Sequence, residues 1–297
     1  TYAAPLSGRL QPGDRSESLS PARIRLAHSL MITIKSRREF AKMAVAGACV
    51  AAIHRAVREA ARPGVSLLEL EEISQKVLAA RDCTSSFLNY HGTYPATLCL
   101  SPNDVIVHGI PTDYRLKEGD ILSVDAGAIY QGFHGDAAFT MAIGEVSPEA
   151  ATLIDATEEG MWAGIRAVRH GARLGDIGAA VSEVGRRYGY GVVEEYLGHG
   201  IGRQMHEEPQ VPNVGEAGTG MKLRTGMALC IEPMFNLGTR HTSVDSDGWT
   251  VRTADGSLSA HWEHTVAITK EGPMVFTAGE EPVPVEEVGQ PAVAEQI

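Results

Sequence analysis

Four acids of this sequence stand inside otherwise apolar runs, and acids in that setting call for cations. Asp125 and Asp136 lie in the stretches Ile121-Leu-Ser-Val-Asp-Ala-Gly127 and Gly132-Phe-His-Gly-Asp-Ala-Ala-Phe139. Gln131-Gly132, between the two alternating runs, predicts a hairpin turn. With those two residues as the loop, Gly127 faces Asp136 and Asp125 faces Ala138. Side chains on one face of a strand recur every second residue. The two carboxylates therefore become diagonal neighbours, about 7–8 Å apart at the backbone, with Gly127 leaving room where a side chain would intrude. Glu232 is the only charge in the run 227–235, and Glu263 leads into the apolar run 265–268. A strand buried on both faces does not tolerate an unpaired acid. The ordinary alternative for each acid taken singly is a salt bridge to one of the 26 Lys and Arg residues. For four acids on strands it is the weaker reading.

An imidazole ligand is at hand. His199 sits in Gly198-His-Gly-Ile-Gly202, where glycines allow close backbone approach. His206 follows before Glu207-Glu208-Pro209, while His28, His54 and His170 read as structural or exposed. Four carboxylates and one histidine match the charge of two divalent cations. Oxygen-rich ligation with one imidazole suits Mn, Fe(II), Co or Zn. Paired metals of this kind activate water for hydrolysis.

These groups need elements to hold them. Ser36 with Glu39, and Ser66 with Glu69, are capping boxes that open two helices, the first stopped by Pro63-Gly64 and the second running to about Ala80. Strand-like runs follow near 97–107, 120–129 and 133–142, then helices near 148–170 and 175–188, then strands near 226–235, 248–252 and 258–269. Two internal repeats stand out. Arg55-Ala-Val-Arg58 recurs as Arg166-Ala-Val-Arg169. Leu116, Gly119, Leu122 and Asp125 recur with the same spacing as Leu223, Gly226, Leu229 and Glu232. The second repeat implies two related half-domains, each offering an acid to a shared centre.

Composition narrows the class. The chain has 297 residues, 43% hydrophobic and 21% charged, with a net charge of −11. That balance suits a soluble globular protein and argues against a nucleic-acid partner. No run approaches the ~18 apolar residues that span a membrane. Cys49, Cys83, Cys99 and Cys230 form no C-x-x-C pair, which argues against structural zinc and for a reducing, cytoplasmic setting. Residues 1–30 read as a flexible, dispensable tail, with Met31 as a candidate start, and residues 278–297 as an acidic, disordered tail.

Larger motifs make the chain recognisable. Residues 196–214, Tyr-Leu-Gly-His-Gly-Ile-Gly-Arg-Gln-Met-His-Glu-Glu-Pro-Gln-Val-Pro-Asn-Val, resemble the signature of the bacterial-type, type I methionine aminopeptidase family of pita-bread metallopeptidases, family M24. His108-Gly-Ile-Pro111, Gly132-Phe-His-Gly-Asp136, Ile231-Glu-Pro233 and Glu263-His-Thr265 match in order. The resemblance covers residues 31–277. Glu232 follows His206 at a spacing of only 26 positions, too few for the helical insert of the type II enzymes.

The resemblance implies an α+β pita-bread fold: two pseudo-symmetric half-domains with an antiparallel sheet covered by helices. It implies removal of the N-terminal methionine from nascent proteins whose second residue is small. It also implies two divalent cations drawn from Co, Mn, Fe(II), Zn or Ni. Asp125 would chelate the first, Asp136 and Glu263 would bridge both, and His199 and Glu232 would complete the second. Glu232 would handle protons, and His108 and His206 would hydrogen-bond the substrate and the developing oxyanion. Tyr90, Tyr94, Cys99 and Trp249 would line the methionine pocket. Met205, Phe87 and the extra Thr93 depart from the usual pattern there. The implied partners are nascent chains and, transiently, the ribosome, met by a monomer that binds neither nucleic acid nor membrane. Two rivals remain: an X-Pro aminopeptidase or dipeptidase on the same fold, and a non-catalytic peptide-binding or ribosome-associated relative.

Overall fold

Capping chemistry sets where the helices begin. In the computed structural model, which describes residues 32–287, the Ser36 amide donates to the Glu39 carboxylate at 2.9 Å and the Glu39 amide donates back to Ser36 Oγ. Ser66 and Glu69 repeat the arrangement. The helices that result are α1 (Arg37–Ala60) and α2 (Leu67–Ala80), and a second pair follows as α3 (Pro148–Ala167) and α4 (Leu174–Tyr188). By length and hydropathy α1 could cross a membrane. It lies instead against the sheet, burying Phe40, Met43, Ile53 and Val57.

Hydrogen bonds confirm the second internal repeat. The Gly64 and Gly171 amides donate to the Leu116 and Leu223 carbonyls. The Leu116 and Leu223 amides donate back to Val65 and Ala172, and the Leu67 and Leu174 amides donate to Tyr114 and Met221. Each member of the second set stands at one constant offset from its counterpart. Gly119 and Gly226 share the left-handed conformation (φ +90° and +96°) that only glycine adopts without strain. The Arg-Ala-Val-Arg copies both stand at the end of a long helix that precedes a shorter one, the first within α1 and the second crossing the end of α3 at Ala167, so they do not share the second repeat's offset.

The expected hairpin forms with the expected register. Ile121–Tyr130 pairs with Phe133–Ala142, placing Gly127 opposite Asp136 and Asp125 opposite Ala138. Gln131 and Gly132 both take positive φ, the turn that matches strand twist. Gly127 accommodates a different neighbour from the one expected. A Cβ there would meet Ser86 and Phe87 at 2.7 and 2.9 Å. The hairpin joins an antiparallel sheet in which Glu263–Ile268 follows Phe133–Ala142, then Ala228–Ile231, Gly198–Gly200 and Glu207–Val211.

Several expected strands are broken, and the breaks matter. The run 226–235 divides at Glu232-Pro233, and the run 258–269 divides at Trp262. Proline has no amide to continue a ladder. Beyond the breaks, Met234–Asn236 and Ser259–His261 pair with each other in a smaller sheet. Both chains thus change sheets at the acids. The run 97–107 divides around Asn103 (φ 56°). The strand expected at 248–252 begins only at Val251, because the Asp247 carboxylate accepts the Trp249 and Thr250 amides and closes a turn there.

Disorder from residue 278 does not hold over 278–287. Val283–Pro284 pairs with Pro273–Val275. Glu280 binds Arg55 at 2.9 Å and Arg81 at 2.8 Å, and these bonds hold its carboxyl down at about 2. The remaining tail expectations, residues 1–30 and the end of the C-terminal segment, lie outside the described residues.

Candidate metal centre

Register brings three acids to one face. Ala138 pairs with Asp125 on one side and with Glu263 on the other. Directly opposed residues share a face, as do residues two apart. Asp125, Asp136 and Glu263 therefore surround the small Ala138 side chain. Thr265 Oγ fixes the centre of the group by accepting the Asp136 amide (3.0 Å) and donating to its carbonyl (2.8 Å). Glu232 arrives from the neighbouring strand's break, its carbonyl held by Asn213 Nδ2 at 3.2 Å.

The five expected ligands converge. Asp125 joins through Asp136 and Glu263, both close enough for their charge to act on its carboxyl. His199 Nε2 lies 3.8 Å from Asp136 Oδ2 and 3.5 Å from Glu232 Oε1. Donor atoms of Asp136, His199, Cys230 and Glu263 all fall within 4.8 Å of one another, as do those of Glu232, His261 and Glu263. His199 Nδ1 meets the Gly200 carbonyl at 2.8 Å. With its proton there, Nε2 presents a lone pair to the acids. Cys230 and His261 were not foreseen as neighbours of the centre. Both stand two residues before an expected ligand, but across or beside a strand break, where alternation no longer fixes which side a residue faces.

The donor set fits divalent cations. Asp125 Oδ1, Asp136 Oδ1 and Glu263 Oε1 are buried and have no hydrogen-bond partner. Among the described residues, Asp136 and Glu232 pair with His199, and Glu232 also with His261, and no Lys or Arg pairs with any of the four acids. Burial, then neighbouring carboxylates, push Asp125, Glu232 and Glu263 well above the ordinary range. Burial raises Asp136 to about 7. Burial lowers His199 to about 4, so its imidazole is neutral. Uncompensated charge of this density is costly without a cation.

A pH dependence follows, and its sign is fixed. A carboxyl raised in the fold favours folding of the metal-free protein below its unfolded value of about 4. That contribution is lost as pH rises through about 7 for Asp136. Cation binding must displace those protons. Calorimetric titration with Mn(II) is expected to show proton release and an affinity that rises between about pH 5 and 8. An affinity flat across that window would contradict the assignment.

Beside the acids lies an apolar pocket. Asp125, Asp136, Glu232 and Glu263 border the same cavity, of about 320 Å³, as Tyr90, Tyr94, Cys99, His108, His206 and Trp249. Phe87 and Met205 pack with Tyr94 and Cys99 in a cluster separate from the main core. Both residues that depart from the expected pattern are thus pocket walls, and Tyr196 and Met234 are further walls not foreseen. Tyr94 does more than pack, since its hydroxyl donates to the Leu98 carbonyl at 2.9 Å. The Tyr90 hydroxyl meets His206 Nδ1, and the His206 and His199 rings lie 4.2 Å apart. The His108 ring contacts Tyr196 at 5.6 Å. Burial lowers His108 to about 4 and His206 well below its usual range, so both are neutral hydrogen-bond partners. Beside the extra Thr93, Asn89, His91 and Gly92 take positive φ.

Relatives agree with this geometry. Residues 41–270 match metallopeptidase family M24. Methionine aminopeptidase 1 of Mycobacterium tuberculosis is 49% identical over 262 residues, covering 86% of this chain and 98% of that protein. The crystal structure of methionine aminopeptidase from Thermotoga maritima superposes with a TM-score of 0.81 at 42% identity, covering 83% of this chain and 99% of the other. Prolidase from Pyrococcus furiosus, at 21% identity and a TM-score of 0.66, shares the fold; 82% of this chain covers 65% of it. The chain belongs to metallopeptidase family M24 and, within it, groups with the methionine aminopeptidases.

Proposed function

We propose that residues 31–277 form a methionine aminopeptidase that removes the N-terminal methionine from nascent proteins whose second residue is small. It acts as a cytoplasmic monomer that meets its substrates transiently at the ribosome. The observation that carries this reading is one cavity walled by four acids, Asp136 and Glu263 buried and Asp125 and Glu232 half-buried, and by an apolar cluster around Tyr94, Cys99 and Met205. Asp125, Asp136, His199, Glu232 and Glu263 would hold two divalent cations, Co, Mn, Fe(II), Zn or Ni. Bound there, the cations would polarise the scissile carbonyl and activate a water.

The chain's own groups do the rest. The apolar cluster takes the methionine side chain and excludes solvent. Glu232, raised by burial and by Asp136 and Asp125, accepts the proton of the attacking water and returns it to the leaving amine. The neutral rings of His108 and His206 donate N–H bonds to the substrate and to the carbonyl oxygen as it gains charge.

Peptide hydrolysis distinguishes this from X-Pro cleavage and from a non-catalytic role. Met-Ala-Ser is expected to release free methionine, Ala-Pro peptides to remain intact, and chelation to stop turnover until Mn(II) or Co(II) is returned. Faster cleavage of Ala-Pro, or no hydrolysis with any of the five metals, would overturn the proposal.

A further inference from the structure

The loop 201–206 carries two of the groups just assigned, Met205 in the pocket and His206 beside it, and it is held from outside the site. Glu207, immediately after the loop, accepts the Arg203 amide at 2.8 Å and the Gln204 amide at 3.2 Å through Oε1. Its other oxygen, Oε2, accepts from Lys35 Nζ at 2.8 Å and from the Thr33 hydroxyl. Lys35 belongs to the arm that precedes α1, and the side chains of both partners are almost wholly buried, 4% and 7% exposed. The Lys35 amide donates to the Gly226 carbonyl at 2.7 Å, which anchors the arm to the second half-domain. Burial lowers the Lys35 pKa, with Glu207 opposing that shift. On Glu207, bonds from Lys35 and Thr33 outweigh the upward push of burial.

The fit leaves no slack. A Cβ at Gly202 would meet Lys35 Cε at 2.4 Å and Glu207 Oε1 at 2.8 Å. A second tie runs parallel, from Arg203 to Glu39 at 3.2 Å. That pair is more exposed, and exposed pairs hold little.

We propose that Lys35 is a positioning residue: through Glu207 it fixes the loop that places Met205 and His206, so that the arm before α1 sets both pocket shape and hydrogen bonding to the substrate. Removing the ammonium leaves the Glu207 carboxylate buried without its counter-charge. The carboxylate then turns toward solvent and releases the Arg203 and Gln204 amides. The kinetic part of this inference rests on the aminopeptidase reading; the structural part does not.

The test uses full-length Lys35→Met and Lys35→Arg, with Val57→Ala in α1 as a control that lowers stability away from the site. Hydrogen exchange at the Arg203 and Gln204 amides is expected to speed up at least tenfold in Lys35→Met and to stay near wild type in Lys35→Arg and Val57→Ala. With Met-Ala-Ser, Lys35→Met is expected to raise KM and lower kcat together, reducing kcat/KM about 100-fold. Affinity for Mn(II) should be unchanged, and Lys35→Arg should recover most of the loss. Wild-type exchange rates in Lys35→Met, or kcat and KM both within twofold of wild type, would overturn the clamp. If the unaltered protein does not cleave Met-Ala-Ser, the aminopeptidase reading fails, and the exchange rates still decide the clamp.

Discussion

Asp136→Ala is expected to lower kcat/KM for Met-Ala-Ser by about 1,000-fold or more. Asp136 stands at the middle of the acid group. Its carboxyl shares a strand face with that of Asp125, lies 3.8 Å from His199 Nε2, and falls within the cluster that includes Glu263. No other carboxylate occupies that place between strands, and the neighbouring Ala138 has no donor to substitute. Lewis-acid stabilisation of the reacting carbonyl amounts to several kcal/mol, and each 1.36 kcal/mol is tenfold in rate. The variant should also bind Mn(II) more weakly. The metal-free protein should keep its thermal stability or gain some, because the deleted group is a buried acid that burial already disfavours. Steady-state kinetics and thermal unfolding with and without metal check both halves. Turnover within tenfold of wild type would discredit the role of Asp136.

His206→Ala is expected to reduce kcat by about 100- to 1,000-fold, the usual cost of losing one preorganised donor to a developing oxyanion. His206 packs half-buried against His199 and Tyr90, and burial of its ring, with the neighbouring histidines, keeps it neutral. The Tyr90 hydroxyl engages Nδ1. With tyrosine as donor, the ring proton sits on Nε2 and can point at the substrate. The loss should therefore appear mainly in kcat, with KM and Mn(II) affinity little changed. A change confined to KM would make His206 a binding group only.

Much of this was legible in the sequence, for reasons that can be named. The Gln131-Gly132 turn fixed the hairpin register, because a two-residue loop leaves one pairing in which each strand keeps its apolar face inward. The capping boxes fixed the starts of α1 and α2. The candidate ligands were visible because an acid in an apolar strand is costly unless a cation or a basic side chain neutralises it. Chain breaks were not visible. Nothing in the run 226–235 but Pro233 hinted that Glu232 sits where the chain leaves one sheet for another. His261 was passed over because the break at Trp262 is a tertiary effect. The second repeat was legible because backbone geometry demands its residues, as at Gly119 and Gly226. The Arg-Ala-Val-Arg copies marked the ends of the two long helices but not a common offset, since the first lies within α1 and the second crosses the end of α3. The C-terminal segment looked too acidic to order, yet Arg55 and Arg81, distant in sequence, supply the counter-charges for Glu280.

The proposed chemistry stands on one physical condition: four carboxylates and an imidazole, drawn from both half-domains, must jointly hold a pair of cations. Anomalous diffraction from crystals equilibrated with Mn(II) tests it directly. The expected result is two peaks about 3.5–4 Å apart, one touching Asp125 and one touching His199 and Glu232, with Asp136 and Glu263 between them. A single peak away from these side chains, or none at saturating Mn(II), would contradict it.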